Sequence, residues 1–337
     1  MNTKEKRRER LDRSIKVRTE GLYAISSWRE MSYLIGPRLI LIIGLLILPL
    51  VMPNLYWQRV LCSMGVFVLL ALVFDFLSSY AGLVSLGGAF YTGVGGYITG
   101  VLNSNFGFPP SVTIPIATLG GGLLCTLLFL PTLPLRGIYF AIVTIVYPIA
   151  AHKIITALNL FGGTEGFSAL STFPNIWAEN YIILGAVLIV FFGFRRLVSE
   201  NYGIILRGIK DNDQAVKASG INITLYKAQA LFIGSAVGCF AGSYLSILYG
   251  WVGLSLFALD FSILPMAAAS MGGMGTLVGP MLGACILTPL SEILRVIGTW
   301  RVVLYCLTLI AFIVFKPEGL MEYFQRKYQQ FERWKEV

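Results

Sequence analysis

The chain has 337 residues, 56% of them hydrophobic and only 13% charged, with a mean hydropathy of +0.75. A soluble domain carries about 25% charged residues, so composition excludes an ordinary soluble protein. The net charge of +9 is not a nucleic-acid signal, because the 26 Lys and Arg residues are confined to a few short segments.

The first twenty residues hold eight of those cations, from Lys4 to Arg18. Leu22, Ile25, Trp28 and Met31 follow at three-residue spacing. Two readings of residues 1–36 stand. One is an amphipathic helix on a membrane face near anionic headgroups. The other is a solvated cytoplasmic tail that fixes orientation. A signal peptide is a poor fit, since the apolar block opens only at Leu39 and no small-residue cleavage site follows it.

Long apolar blocks then fill residues 37–316. A hydrocarbon core ~30 Å thick needs ~20 apolar residues in a helix. Without water, every backbone N–H and C=O must be paired within the protein, and unbroken blocks such as 39–50 select helices over a barrel. The expected spans are 39–56, 60–77, 81–101, 111–134, 137–158, 180–194, 228–249, 259–273, 277–294 and 302–315. The fold class is therefore an all-α polytopic membrane protein with about ten transmembrane helices. The eighth span is short and ends at Met271-Gly272-Gly273-Met274-Gly275, which leaves a broken or re-entrant helix open.

Ten spans put both termini on one side, with 22 of the 26 cations there and only Arg59, Lys153, Arg295 and Arg301 opposite. The positive-inside rule makes the first side cytoplasmic. It then holds the loop 195–227 and the tail 317–337, whereas the loop 159–179, free of Lys and Arg, faces outward.

Several residues within the blocks invite a role. Cys62, Cys125, Cys239, Cys285 and Cys306 form no C-x-x-C pair and read as small buried residues, not as disulfides or metal ligands. Gly234, Gly238 and Gly242, and Gly275, Gly279 and Gly283, recur every four residues, a spacing that lets helices approach closely. Packing inside one subunit and contact with a second membrane subunit both fit. Among ionisable residues in or near the spans, Asp75 and Asp260 are the leading functional candidates; the sole histidine, His152, reads as structural. No carboxylate series crosses the bilayer, which argues against a proton-coupled carrier or channel acting alone. No Gly-x-Ser-x-Gly or His-Glu-x-x-His occurs, so no catalytic residue or metal site is expected.

The loop 195–227 carries the most information. Asp211 and Gln214 make a capping-box-like start, Ala215, Val216 and Ala218 give a small apolar surface, and Gly220 stands where a helix ends in left-handed geometry. About two turns of helix over 212–219 are marginal alone and suit a partner's groove. A loop helix packed on its own membrane domain is the plainer alternative.

This loop resembles the coupling segment of ABC importer permeases, and more specifically that of the M-type subunits of the branched-chain amino acid permease family. Four further stretches match in order: Tyr80-Ala81-Gly82-Leu83-Val84-Ser85-Leu86-Gly87, Leu135-Arg136-Gly137-Ile138-Tyr139-Phe140-Ala141, Gly162-Gly163-Thr164-Glu165-Gly166 and Gly272-Gly273-Met274-Gly275-Thr276-Leu277-Val278-Gly279-Pro280. Two departures stand out. Gly88 replaces the histidine usual after Ser-Leu-Gly, and Val216 replaces a common second alanine.

The resemblance implies a multi-pass protein of the bacterial cytoplasmic (inner) membrane. Its partners would be two ABC ATPase subunits, a second homologous permease subunit, an extracytoplasmic solute-binding protein and membrane lipid, with no nucleic acid. No Gly-Lys dipeptide is present to form a phosphate-binding loop, so no cofactor is expected on this chain; ATP and Mg belong on the partners. Asp211, Gln214, Ala215, Val216, Ala218 and Gly220 are the expected ATPase-coupling residues. Segments 82–100 and 270–283 are candidate cavity walls, where broken helices present free backbone groups to a zwitterion. Ser85, Gly87, Tyr91, Tyr139, Thr144, Gly163 and Gly273 are the candidate path residues, with ordinary packing the alternative for each. Leucine-type amino acids lead as substrates, and urea, short amides and other amino acids stay open.

Overall fold

The computed structural model describes residues 54–294, apart from Arg136, Ala169 and Pro174, together with Pro49, Leu307, Gly319 and Met321. The expected spans 39–56 and 302–315 lie almost wholly outside these residues, as do the two tails. So does Cys306.

The described chain is almost entirely helical. Helix α1 (Leu55–Asp75) runs on through a π-helical turn, Phe76–Tyr80. It is followed by α2 (Gly88–Phe106), α3 (Pro110–Phe129) with the 3-10 turn Leu130–Thr132, α4 (Ile138–Leu158) and α5 (Ile176–Ser199). Two short helices, α6 (Asn201–Asp211) and α7 (Asp213–Ala218), lead into α8 (Ile223–Tyr249). After the 3-10 turn Leu254–Phe257 come α9 (Asp260–Gly272) and α10 (Val278–Ile293). One isolated bridge, Phe167 to Val252, is the only β pairing among the described residues.

Five stretches are long and apolar enough to cross a membrane: Leu55–Tyr80, Pro110–Thr132, Ile138–Leu158, Ile176–Ser199 and Ile223–Tyr249. The expected spans 60–77, 111–134, 137–158, 180–194 and 228–249 fall on them. The expected span 81–101 differs: α2 starts only at Gly88, because residues 82–87 leave the helix at Gly82, whose φ is +69°. The expected spans 259–273 and 277–294 are helices of 13 and 16 residues, shorter than the ~20 a bilayer needs.

Small residues set the packing. Helix α8 lies against α1, α2 and α3. A β-carbon at Gly238 would overlap the Tyr91 ring, one at Gly242 the Thr92 backbone, and one at Gly95 the Cys239 backbone. Glycine at these positions lets the helix backbones close up. Gly272 meets Gly279 and Gly283 meets Ala268 in the same way, so α9 and α10 form a tight antiparallel hairpin. Both glycine series thus pack within the subunit. Helices α4 and α5 instead turn large apolar residues outward, with Ile189 75% exposed.

The loops gather at two opposite ends of α8. At its C-terminal end, Phe167 and Val252 exchange backbone hydrogen bonds of 2.9 Å and Trp251 Nε1 donates to Glu165 O at 3.2 Å. The loops 159–175 and 250–258 there contain no Lys or Arg. At its N-terminal end lie α6, α7, the π turn and the loop 273–277, joined by Lys210 Nζ donating to Ser79 O at 2.8 Å and Tyr80 OH donating to Gly275 O at 2.6 Å.

Candidate functional site

Residues 82–87 cross the bundle without helical hydrogen bonds, so their polar groups need partners from elsewhere. Side-chain hydroxyls supply them. Leu86 N–H donates to Thr144 Oγ1 of α4 at 3.0 Å, and Ser262 Oγ of α9 donates to Leu86 O at 2.7 Å. Ser262 Oγ also accepts from Ala89 N–H at 2.9 Å, which serves the first turn of α2. Ser85 Oγ accepts from Gly87 N–H at 3.3 Å and lies 2.9 Å from Tyr91 OH. Four candidate path residues, Ser85, Gly87, Tyr91 and Thr144, therefore meet around one interruption, deep in the bundle.

An aromatic cluster adjoins it. Phe129 stands edge-on to Tyr91 and Tyr147, and Phe90 lies against Phe129, Tyr147 and Phe257. Beside Ser85 and Tyr91, walled by Gly88, Phe261, Ser262 and Pro265, is a void of about 10 Å³. That is about the room one water requires, so the site is closed to any solute in this conformation.

The other path candidates lie elsewhere. Tyr139 is 68% exposed at the start of α4. Gly163, at φ +57°, is in the loop 159–175. Gly273, at φ +106°, ends α9.

The coupling candidates form one surface. Helix α7 starts on Asn212, whose Oδ1 accepts from Gln214 N–H at 3.0 Å and Ala215 N–H at 3.2 Å. The cap is thus Asn212, not the Asp211–Gln214 pair; Asp211 is the last residue of α6, and its position inside that helix prevents it from capping the next. Gly220 takes φ +81° after the helix, as its sequence position implies. Gln214, Ala215 and Ala218 are exposed, while Val216 turns inward against Gly208 of α6. The Lys227 to Asp213 ion pair, 3.2 Å and largely buried, ties α7 to the start of α8.

Residues 56–313 match the family described as branched-chain amino acid transport system / permease component. The chain belongs to this family. The permease is 25% identical over 288 residues to the high-affinity branched-chain amino acid transport system permease protein LivM of Salmonella typhimurium, and likewise to that of Escherichia coli, covering 76% of this chain and 68% of each relative. A probable branched-chain amino acid transport permease protein LivM of Methanocaldococcus jannaschii is 28% identical over 239 residues, 61% of this chain and 68% of that relative. No solved structure matches the chain. Membership and the apolar helices make this a multi-pass membrane permease component.

Sequence reasoning missed Ser262 in the permease, because one serine in an apolar helix carries no signal until the segment it serves is in place. It singled out Asp75 without finding its partners. Asp75 is fully buried, and Oδ1 accepts from Gly275 N–H at 2.6 Å and Ser79 Oγ–H at 2.7 Å, while Oδ2 accepts from Leu277 N–H at 3.2 Å. Asp260 is exposed in the first turn of α9.

Proposed function

We propose that this chain is the membrane-spanning subunit of an ATP-driven importer, passing branched-chain or related amino acids delivered by a solute-binding protein. Two partner ATPases hold ATP and Mg and hydrolyse the nucleotide; a second, homologous permease subunit completes the pathway. The protein sits in the bacterial cytoplasmic membrane with the cation-rich loop end inside. ATP binding draws the ATPases together, the attached helices move with them, and the bundle changes the side to which its cavity opens.

The observation that carries this reading is α7. It joins two spans, is capped and ion-paired at its base, and presents Ala215 and Ala218 outward on a face one turn apart. Such a surface admits the close approach of a partner. Ala215→Trp should abolish ATPase co-purification or solute-stimulated ATP hydrolysis while the subunit still inserts normally. Wild-type assembly and uptake in this variant would remove α7 from the mechanism. Orientation is tested separately: an impermeant thiol reagent applied outside should label a Ser171→Cys variant and miss Ser199→Cys.

A second substrate reading rests on the walls of the closed site. Among the described residues, no charged side chain lines the void beside Ser85 and Tyr91. A β-carbon at Gly88 would overlap the Phe261 carbonyl, so α9 occupies the place of the family's usual histidine. A small uncharged hydrogen-bonding solute such as urea or a short amide suits these walls as well as a zwitterion does. Uptake of labelled leucine by the reconstituted complex, competed with unlabelled amino acids, urea and acetamide, separates the two.

A further inference from the structure

We infer that Asp75 is a positioning residue through which movement of the α6–α7 segment reaches the loop between α9 and α10. This rests on the permease-subunit reading above and adds a route inside the subunit. Asp75 is the only acidic or basic side chain with no exposed surface among the described residues. A carboxylate isolated from water is costly unless every lone pair is matched. Here the partners come from two segments: Ser79 in its own π turn, and the backbone N–H groups of Gly275 and Leu277, some two hundred residues away in sequence.

Inside that loop Thr276 Oγ1 donates to Gly273 O at 3.0 Å and accepts from Gly279 N–H at 2.9 Å, yet the backbone stays strained. Gly273, Gly275 and Leu277 all take positive φ, +106°, +84° and +58°. For Leu277, which has a β-carbon, this conformation is strained and persists only where surrounding contacts impose it. Asp75 imposes it, by binding the Leu277 N–H directly. Tyr80 adds a second hold on the same loop through its 2.6 Å bond to Gly275 O.

The other end of the route is α6. Lys210 Nζ donates to Ser79 O at 2.8 Å, and the Arg207 guanidinium lies 5.4 Å from the Tyr80 ring centroid. A β-carbon at Gly82 would stand 3.2 Å from Lys210 Cα, so α6 also rests on the bend that opens the interrupted segment. Val216 seats α7 against Gly208 of α6. Force on α7 thus reaches residues 79–82 through α6, beside its direct tie to α8 at Lys227, and those residues hold both interruptions. A strained loop held from outside by Asp75 and Tyr80 is a two-state element whose balance a partner can shift. Pulling α6 away displaces Ser79 and Tyr80, loosens the hold on residues 275–277 and lets the α9–α10 hairpin relax.

The test uses the full complex, reconstituted with its ATPases and binding protein. An ideal β-carbon at Gly275 is 3.9 Å from Ser79 Cβ, close to the ~3.8 Å typical of a disulfide. Oxidising a Ser79→Cys/Gly275→Cys variant should stop uptake, with recovery on reduction, while each single variant is insensitive to oxidant. Full uptake by the cross-linked complex would overturn the proposal. Asp75→Asn provides an arm free of the cross-link. Its solute transported per ATP hydrolysed should fall about tenfold, the loss of a charge-assisted hydrogen bond, with ATPase association unchanged. Thr99→Val, which breaks the buried 2.6 Å bond to Ser243 near the opposite end, should leave that ratio intact. An unchanged ratio in Asp75→Asn, or an equal fall in Thr99→Val, would refute the role. If the unmodified complex takes up solute without ATP, the permease-subunit reading fails and the route falls with it. ATP-driven uptake that ignores every latch variant sinks the route alone.

Discussion

Residues 82–87 and 273–277 both depart from the helix, yet different chemistry holds them. The first segment is served by neutral hydroxyls on three elements: Thr144 on α4, Ser262 on α9 and its own Ser85. The second, beyond its own Thr276 hydroxyl, is tied to the bundle by one buried carboxylate and a tyrosine hydroxyl, both at the end of α1. Neutral hydrogen bonds contribute about 0.5–1.5 kcal/mol each and those to a charged group about 1.5–3. A segment tied by several weak bonds to several helices keeps its shape when any one helix shifts slightly. A loop tied to one charged group follows that group. The first arrangement suits a wall of the pathway and the second a joint.

The comparison can be broken most severely at Asp75. Asp75→Leu strips two backbone N–H groups and the Ser79 hydroxyl of their acceptor at once. At about 1–3 kcal/mol per stranded buried group, the expected outcome is loss of the subunit from the membrane fraction, read by immunoblot. Ser262→Ala comes next, since it leaves Leu86 O and Ala89 N–H without a partner. A cost of about 2–6 kcal/mol should appear as a clear drop in melting temperature of the detergent-solubilised protein. Thr144→Val strands only the Leu86 N–H, and about 1–3 kcal/mol predicts a smaller drop in the same assay. Tyr80→Phe is the mildest. It deletes one neutral bond while Asp75 keeps the loop, so thermal stability should change by about 0.5–1.5 kcal/mol, and uptake per ATP should move more than stability does. Equal damage from Ser262→Ala and Asp75→Leu would erase the distinction between wall and joint.

Much of this was legible in the chain because lipid leaves a backbone few options. The blocks at 60–77, 111–134, 137–158, 180–194 and 228–249 fall on long helices, since apolar length alone fixes such elements. Gly220 declared its left-handed turn because few other residues tolerate one. The exact start of α2 was not legible: Ala81 to Gly87 is as apolar as a helix interior, and a non-helical path there depends on the hydroxyls of Thr144, Ser262 and Ser85. Tyr139 and Thr144 looked alike in sequence, five residues apart on α4, yet one is 68% exposed and the other fully buried. Which face of an apolar helix turns inward in lipid is decided by packing against its neighbours, not by polarity.

The sequence by itself determined that this is a helical membrane protein, where its cations concentrate, and, through ordered motifs from Tyr80 to Pro280, its permease family. Tertiary structure alone decided that Ser262 serves the segment before α2 and that Asp75 reaches the loop at Gly275. Those facts depend on groups far apart in the chain meeting within hydrogen-bond distance. Local preference gives no information about such a meeting; the glycine-mediated approach of α1, α2, α8, α9 and α10 creates it.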